Sequence, residues 1–343
     1  MMQSPSRRHF TLGLAAVSAL AGAGGLAATL RPGLRAIVIG GGPAGAAAAL
    51  SLRAANPAAS VLLVERDPGR LSRAQEGIEG AAFTRPRARA DLDALRQAGV
   101  GVVLDDVVGI DWASARLSLF SGRTLAFDRL LLAPGTSPRD EAIPGLDAVA
   151  RHAWPAAWGS AREARRLAGQ LAALPERGHV VLRLPAEISH PHAALTRAVD
   201  LARHLAAARP AARLTVLDGS ATDDLASAFV RAVPNGVAAG VQWRTAADGG
   251  IVRAVDARRG LIETDAGGLR ADVVNFVPAL TAGAIASTAG LVDHSGWCPC
   301  DTAGRSSLRR DVLVLGDARK SALRTLAGAL RSAEVATKGG LVG

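Results

Sequence analysis

Cys298 and Cys300 are the only cysteines of the chain, and a single proline separates them in the segment DHSGWCPCDTAGR. A disulfide between them would be strained and oxidising, because Pro299 restricts the backbone, and it could relay electrons. A nearby histidine would instead lower the pKa of one thiol and make it a nucleophile. Alternatively, the two thiols have no chemical role. Which of these holds depends on the elements that position the pair.

A glycine-rich turn near the start of the chain has the spacing of a dinucleotide-binding motif. Gly40, Gly42 and Gly45 form G-x-G-x-x-G between an apolar run and an alanine-rich stretch. The first glycine permits a tight turn, the second admits a pyrophosphate, and the third lets the helix pack on the strand. The pyrophosphate would lie at the N-terminus of a helix that begins near Pro43 and Ala44, where free N–H groups favour an anion.

An acid ends the second apolar run of the same unit. Glu65 follows Gly45 by twenty residues, the spacing at which a carboxylate accepts hydrogen bonds from a ribose diol. We expect Arg66, the next residue, to lie at the same cofactor. Strand, glycine turn, helix, strand and acid together predict a βαβ unit that binds a dinucleotide.

Two later strands end in turns. FDRLLLAPG predicts a buried strand that ends in the turn of Ala133, Pro134 and Gly135, and DVLVLGDA predicts one that runs into Gly316 and Asp317. An amphipathic helix to about residue 338 should follow the second turn.

The glycine turn, the turn at residues 133–135 and the turn at residues 316–317 occur in the same order as three sequence motifs of flavoprotein reductases with two dinucleotide-binding domains, which they resemble. The resemblance implies an α/β chain with two Rossmann-like domains, as in the glutathione-reductase-like FAD/NAD(P)-binding fold. It also implies that FAD is the cofactor, with Asp317 on the ribityl hydroxyls and the last helix pointing at the flavin pyrimidine edge. The predicted cofactor-binding residues are Gly40, Gly42, Pro43, Ala44, Gly45, Glu65, Arg66, Ala133, Pro134, Gly135, Gly316, Asp317 and Gly328.

Alternating strands and helices predict a second α/β domain over residues 142–292, inserted into an FAD-binding domain of residues 34–141 and 293–343. Its first strand, GHVVLRLPA, runs into EISHPH where a pyridine-nucleotide reductase would have a second glycine fingerprint. Without those glycines the backbone cannot approach a pyrophosphate. We therefore predict that NAD(P)H is not the electron donor.

A closer resemblance covers almost everything from Arg35 to Gly343. FDRLLLAPG, RHAWPA, ADVVNFVPAL and GWCPCD are similar to segments of the flavin-binding subunit of flavocytochrome c sulfide dehydrogenase, a relative of sulfide:quinone oxidoreductase. The resemblance implies a periplasmic enzyme that oxidises sulfide through a pair of cysteines beside FAD. Electrons would pass to a c-type cytochrome subunit or a quinone. Cys298 matches the second redox cysteine of that family.

The chain departs from this pattern in three places. His190 stands at or next to the position of the first redox cysteine, and Thr196 replaces a family glutamate. The family's C-terminal interface domain is expected to be missing, which would leave the flavin face more open. We predict Cys298, Cys300 and His190 as catalytic residues, with a reduced sulfur compound or similar small donor as substrate.

A rival interpretation is a non-catalytic descendant that binds flavin or copper or zinc. His190, His192 and His294 could join the two cysteines as ligands, but H-x-H and C-x-C are common spacings, so we predict no metal site.

The N-terminus and the composition indicate where the protein acts. Arg7, Arg8 and Phe10 precede a weakly apolar run rich in small residues, which predicts a twin-arginine export signal over residues 1–33. Export would make the protein periplasmic, and a membrane tether would remain only if the signal stayed uncleaved. The net charge is +10, but aromatic residues make up only 3% and the arginines are scattered. We therefore predict no nucleic-acid partner.

Overall fold

The structure, a computed structural model, describes residues 33–68, 78–79, 82–83 and 92–339. All but the last residue of the predicted export signal lies outside this range. The described strands are β1 (Arg35–Ile39), β2 (Ser60–Glu65), β3 (Ile78–Glu79), β4 (Ala82–Phe83), β5 (Gly101–Leu104), β6 (Val107–Asp111), β7 (Arg116–Leu119), β8 (Thr124–Ala126), β9 (Arg129–Leu132), β10 (Thr136–Pro138), β11 (His179–Leu184), β12 (Arg213–Asp218), β13 (Val241–Arg244), β14 (Val252–Asp256), β15 (Leu261–Thr264), β16 (Gly267–Arg270), β17 (Val273–Phe276), β18 (Leu280–Ala282) and β19 (Val312–Val314).

The described helices are α1 (Pro43–Ala55), α2 (Leu92–Gln97), α3 (Ala148–Ala153), α4 (Ala161–Ala172), α5 (Pro191–Ala208), α6 (Asp224–Ala232), α7 (Asn235–Ala238), α8 (Ala284–Thr288) and α9 (Leu326–Gly339). In the described part of the chain, no helix has the length and apolar character needed to cross a membrane.

The first domain is built on a parallel sheet with the strand order β19-β9-β1-β2-β5. Its central strands are apolar and buried on both faces, as expected for a parallel sheet with covered faces. One face packs against α1 and α9, where alanines let the helices approach the sheet closely. The other face packs against β6, β7 and residues 282–291. This confirms the predicted Rossmann-like first domain.

The second domain has a parallel sheet with the order β13-β12-β11-β17. One face carries α4, α5 and α6, and the opposite face carries α3 and the antiparallel sheet β14-β15-β16. The predicted fold of two Rossmann-like domains is therefore confirmed. The predicted domain limits stay a prediction, although Ala282, Ala286 and Leu291 pack in the core of the first domain.

Two crossovers connect the domains through β10 and β18, which pair antiparallel. Beside them, Arg183 of β11 forms a buried ion pair with Glu141, with a shortest N–O distance of 2.5 Å. Arg183 also donates to the carbonyl of Val277 (2.8 Å), and Glu141 accepts from the N–H of Ala279 (2.9 Å). This cluster fixes the outgoing and returning chain segments to the second sheet.

Candidate functional site: a flavin cradle beside two thiols

Three loops meet at the carboxyl ends of β1, β9 and β19, which are neighbours in the first sheet. Gly40 has a φ of +97°, and a Cβ there would lie 2.2 Å from the carbonyl oxygen of Ala133. A Cβ on Gly316 would lie 3.1 Å from the Cβ of Ala44. The glycine turn, the loop after β9 and the loop after β19 therefore form one cradle.

The glycine turn leaves room for a phosphate group. A Cβ on Gly45 would lie 1.8 Å from the carbonyl oxygen of Gly40, so this glycine is required for the contact of α1 with the turn. A Cβ on Gly42 would meet nothing within 4 Å. No side chain caps α1, whose first turn includes Pro43 and Ala44. Open space in front of an uncapped helix N-terminus suits a pyrophosphate.

Glu65 lies buried at the end of β2, beside the glycine turn. Its carboxylate accepts from the N–H groups of Gly41 (2.6 Å) and Asp67 (2.8 Å). These bonds fix its orientation and leave lone pairs for ribose hydroxyls. Arg66 lies on the surface instead, with its guanidinium 3.8 Å from Asp106.

The Asp317 carboxylate fits a role as acceptor for the ribityl chain. Its Oδ1 atom is buried and has no hydrogen-bond partner in the described part of the chain. Leaving a buried carboxylate oxygen unpaired is costly, and a ribityl hydroxyl would pair it. The preceding loop is fixed because the Gly316 N–H donates to Ser332 Oγ (2.8 Å). The cradle as a whole therefore fits FAD.

Three further predicted residues shape this cradle. Gly135 has a φ of +63° and its carbonyl accepts from the Gly283 N–H (2.9 Å). Pro134 lies against the same glycine, since a Cβ on Gly283 would be 2.3 Å from the Pro134 oxygen. A Cβ on Gly328 would be 2.0 Å from the Leu323 oxygen, so Gly328 lets that loop pack onto α9.

Cys298 lies directly beside the Asp317 loop. Its N–H donates to the carbonyl of Ala318 (3.0 Å), and its own carbonyl accepts from the Lys320 N–H (2.8 Å). The Cys298 side chain is fully buried. The Cys300 thiol donates to the carbonyl of Cys298 (3.5 Å). The backbone of Cys298 thus lies next to the residues that would hold the ribityl chain, while its side chain packs in the core of the first domain.

Both thiols are free, and their raised pKa values keep them protonated at neutral pH. Burial, together with smaller contributions from Cys300 and Asp293, raises the pKa of Cys298 to about 12. Burial also raises the pKa of Cys300 to about 11, against the opposing influence of Arg319. The hypothesis of a low-pKa thiolate beside a histidine is therefore wrong for this arrangement, because burial dominates and no histidine contributes.

His190 contacts other groups. It directly precedes α5 without capping it through its side chain, its Nδ1 lies 2.8 Å from Ser189 Oγ, and its Nε2 lies 3.5 Å from Asp317 Oδ2. The ring of Trp158 packs against it edge to face, with the ring centroids 5.9 Å apart. The imidazole therefore touches the flavin-holding loop from the second domain.

A buried clamp fixes the segment that carries Trp158. Asn275 donates to the carbonyls of Pro155 and Ala156 (2.8 and 2.7 Å), while Arg197 donates to Asn275 Oδ1 and to the Ala157 carbonyl (both 2.8 Å). This clamp cannot be recognised from the sequence, because its members lie far apart in the chain.

Arg324 is a second residue that the sequence analysis missed. Its guanidinium lies 3.7 Å from the ring centroid of Trp297. It also donates to the carbonyls of Asp317 and Arg319 (both 3.1 Å). Arg324 thereby ties the Asp317 loop to the segment that carries Cys298. In the described residues, no three His, Cys, Asp or Glu side chains form a group that could hold a metal ion.

Two family models match the chain. Residues 34–185 match the pyridine nucleotide-disulphide oxidoreductase model. Residues 164–278 match the central region of the sulfide dehydrogenase (flavocytochrome c) flavoprotein chain. The two matches overlap in the second domain and together run from β1 to the end of β17.

Solved structures show the same fold at low sequence identity. Sulfide:quinone oxidoreductase from Aquifex aeolicus has a TM-score of 0.65 and 15% identity, over 88% of this chain and 74% of that one. The NAD-dependent persulfide reductase from A. fulgidus has a TM-score of 0.66 and 19% identity, over 90% of this chain and 59% of that one. Reduced CoADR-RHD from Bacillus anthracis has a TM-score of 0.62 and 16% identity, over 90% of this chain and 56% of that one. This chain therefore spans little more than half of that protein.

The family matches and the cradle agree on the cofactor, which is FAD. Residues 34–185 of the chain are similar to the pyridine nucleotide-disulphide oxidoreductases, and its second domain is similar to the central region of a sulfide dehydrogenase flavoprotein chain.

Proposed function

We propose that this chain is an exported FAD-dependent oxidoreductase that oxidises sulfide or another reduced sulfur compound. The observation that carries the proposal is the pair of backbone hydrogen bonds that fixes Cys298 to Ala318 and Lys320. They put a sulfur-bearing segment beside the loop that would hold the flavin. The match of residues 164–278 to a sulfide dehydrogenase flavoprotein chain supports a sulfur substrate.

The flavin, when bound, supplies a two-electron acceptor for the reaction. Hydrosulfide becomes elemental sulfur when it loses two electrons and one proton. Ser189, His190 and Asp317 form a hydroxyl–imidazole–carboxylate chain that can hold and pass this proton. The rings of Trp158 and Trp297 flank this chain and the Asp317 loop and would help to exclude water.

The thiols have a different role from that of a redox pair in this proposal. With pKa values of about 12 and about 11, Cys298 and Cys300 carry almost no thiolate at neutral pH. The anionic sulfur must then come from the substrate, because part of the hydrogen sulfide in solution is ionised to hydrosulfide at neutral pH. Cys298 and Cys300 would shape the apolar side of the site, and electrons would leave the flavin to a c-type cytochrome or a quinone.

Export by the twin-arginine route is part of the proposal and rests on Arg7, Arg8 and the small-residue run that follows them. A fusion of residues 1–33 to a reporter that is active only outside the cytoplasm would test it. The reporter should work, and changing both arginines to lysine should abolish its export. A reporter that stays in the cytoplasm would contradict export.

An anaerobic titration tests the activity. The purified protein should be yellow, and sulfide should bleach its flavin absorbance, which a cytochrome c or a soluble quinone should restore. NADH and NADPH should leave the spectrum unchanged, since no glycine fingerprint follows β11. This control matters because a persulfide reductase with the same fold is NAD-dependent.

The burial of both thiols favours a second candidate, a flavoprotein subunit without sulfur-oxidising activity. The same titration separates the two. Bound flavin that sulfide, sulfite and small thiols all fail to reduce would favour the subunit. Stoichiometric copper or zinc that is lost in Cys300→Ser would favour its metal-binding form.

A further inference from the structure

A cavity of about 800 Å³ opens on the second domain, where the amino ends of its sheet meet the hairpin β15-β16. The residues that line it are His179, Ala212, Arg213, Leu214, Thr215, Ala239, Gly240, Val241, Gln242, Arg244, Leu269 and Arg270.

This cavity is separate from the flavin cradle. His179, in the cavity wall, is the first residue of β11, whereas His190 follows the carboxyl end of the same strand. A strand of this length spans about 20 Å. The cavity therefore lies toward the amino end of β11, away from the carboxyl end that faces the flavin cradle. The proposed sulfur oxidation makes no use of it.

Arginines from three strands line the cavity. Arg213 begins β12, Arg244 ends the edge strand β13, and Arg270 ends β16. Arg244 and Gln242 share one face of β13 because side chains alternate along a strand. Three guanidinium groups thus surround one space, which is an arrangement suited to an anion.

Within the described part of the chain, none of these guanidinium groups forms an ion pair. Arg244 donates to the amide oxygen of Gln242 (3.3 Å), and Arg270 donates to the carbonyl of Arg259 (3.3 Å). By contrast, Arg253 on the neighbouring β14 forms an ion pair with Asp265 (2.6 Å). The positive charge of the cavity is therefore not neutralised by carboxylates within ion-pair distance.

The His179 imidazole in the cavity wall is neutral and fixed. Nδ1 of His179 lies 2.7 Å from the Arg270 carbonyl and so carries the proton, while Nε2 lies 2.8 Å from Thr215 Oγ1 and accepts from it. Burial lowers the pKa of His179, and the nearby guanidinium groups of Arg213 and Arg244 lower it further, although Asp272 opposes them. The Asp272 carboxylate accepts a hydrogen bond from the backbone N–H of His179 (2.7 Å).

We propose that this cavity binds a phosphorylated organic anion of about nucleotide size. Guanidinium groups bind phosphate oxygens through paired hydrogen bonds. The side chain of Leu269, on the hairpin side of the cavity, offers an apolar surface for the organic part. The volume lies within the range of small-molecule sites.

Calorimetry on the FAD-loaded protein tests the proposal, with ADP, pyrophosphate and adenosine as probes. ADP should bind saturably, pyrophosphate should compete more weakly, and adenosine should not compete. In Arg213→Gln/Arg244→Gln the dissociation constant for ADP should rise at least tenfold, with the flavin spectrum unchanged. Arg258→Gln, an exposed change outside the cavity, should have no effect. Higher salt should weaken binding in the parent protein.

Three results would overturn the proposal. These are no saturable ADP binding to the FAD-loaded protein, equal binding by the double variant, and pyrophosphate binding as tight as that of ADP. ADP binding that appears only in flavin-free protein would assign the ligand to the cradle of Gly42. Should the double variant fail to fold, Arg244→Gln alone serves, since it lies on an edge strand and should still weaken ADP severalfold. None of these measurements requires sulfide, so their outcome is independent of the proposed oxidation.

Discussion

His190 Nε2 lies 3.5 Å from Asp317 Oδ2, so a residue at the start of α5 in the second domain touches the carboxylate that would hold the flavin ribityl chain. The His190 ring is held in turn by Ser189 and Trp158. This contact couples the two domains at the cofactor. It also predicts different consequences for changes on its two sides.

Asp317→Ala should lower the affinity for FAD. The change removes a carboxylate whose buried Oδ1 atom has no partner in the described part of the chain, and a hydrogen bond to a charged group is worth about 1.5–3 kcal/mol. We expect a rise in the FAD dissociation constant of about ten- to hundredfold, measured by fluorescence on reconstitution. Asp140→Ala, on a fully exposed side chain, is the control, and equal affinity in both variants would exclude the assigned role.

His190→Ala should slow flavin reduction rather than flavin binding. The change interrupts the chain from Ser189 to Asp317 and leaves the carboxylate in place. Stopped-flow reduction by sulfide should slow by at least tenfold while the FAD content stays constant. His192→Ala, an exposed site on the same helix, should reduce at the parental rate. An unchanged rate in His190→Ala would remove His190 from the proton path.

Much of the fold could be predicted from the sequence, because its signals are local. The glycines at 40, 42 and 45, with the apolar runs on either side, already determine a strand, a turn and a helix. The position of Cys298 beside Asp317 was expected only through the family resemblance. The environment of the thiols was not predictable, because burial depends on residues from several distant segments. The same reason hid Arg324 and the clamp of Arg197.

Both thiols should react slowly with DTNB in the folded protein. The reagent attacks thiolates, and the raised pKa values of Cys298 and Cys300 leave almost none at pH 8. Reaction in guanidinium chloride should be faster by at least tenfold. Cys300→Ser assigns the remaining reactivity to Cys298, which is the more buried of the two thiols. Rapid modification of the native protein would mean that a thiolate is exposed at the site.

The same thiols should make the fold less stable in alkali. Their folded pKa values, about 12 and about 11, exceed the value of 9.0 for a free thiol. The unfolded chain therefore loses these protons first, so the stabilisation is complete below pH 9.0 and is lost as the pH rises toward 12. Urea unfolding at several alkaline pH values should show the decline, and Cys300→Ser should reduce its slope. A slope that is the same in the variant would contradict a contribution from Cys300.

Glu141→Gln should destabilise the crossover between the domains. Burial acts to raise the pKa of Glu141, but Arg183 and the Ala279 N–H lower it more, so the net shift is downward. Removing one charge of a buried pair costs about 3–5 kcal/mol. Glu187→Gln, in the exposed pair with Arg139, should cost less than about 1 kcal/mol. In the parent protein, this stabilisation should be present above the ordinary glutamate pKa of 4.5 and be lost as the pH falls through the lower folded value.

Substitution by alanine should have different effects at Gly42 and Gly45, the second and third glycines of the motif. At Gly45 the new methyl would lie 1.8 Å from the Gly40 oxygen, so Gly45→Ala should unfold at a lower temperature or fail to fold. At Gly42 nothing lies within 4 Å, and the residue has φ −64°, so Gly42→Ala should fold normally. Its methyl would occupy the space assigned to the pyrophosphate, so FAD binding should weaken at least tenfold. Thermal unfolding of the flavin-free proteins and reconstitution with FAD separate the two effects. Full FAD affinity in Gly42→Ala would place the pyrophosphate elsewhere.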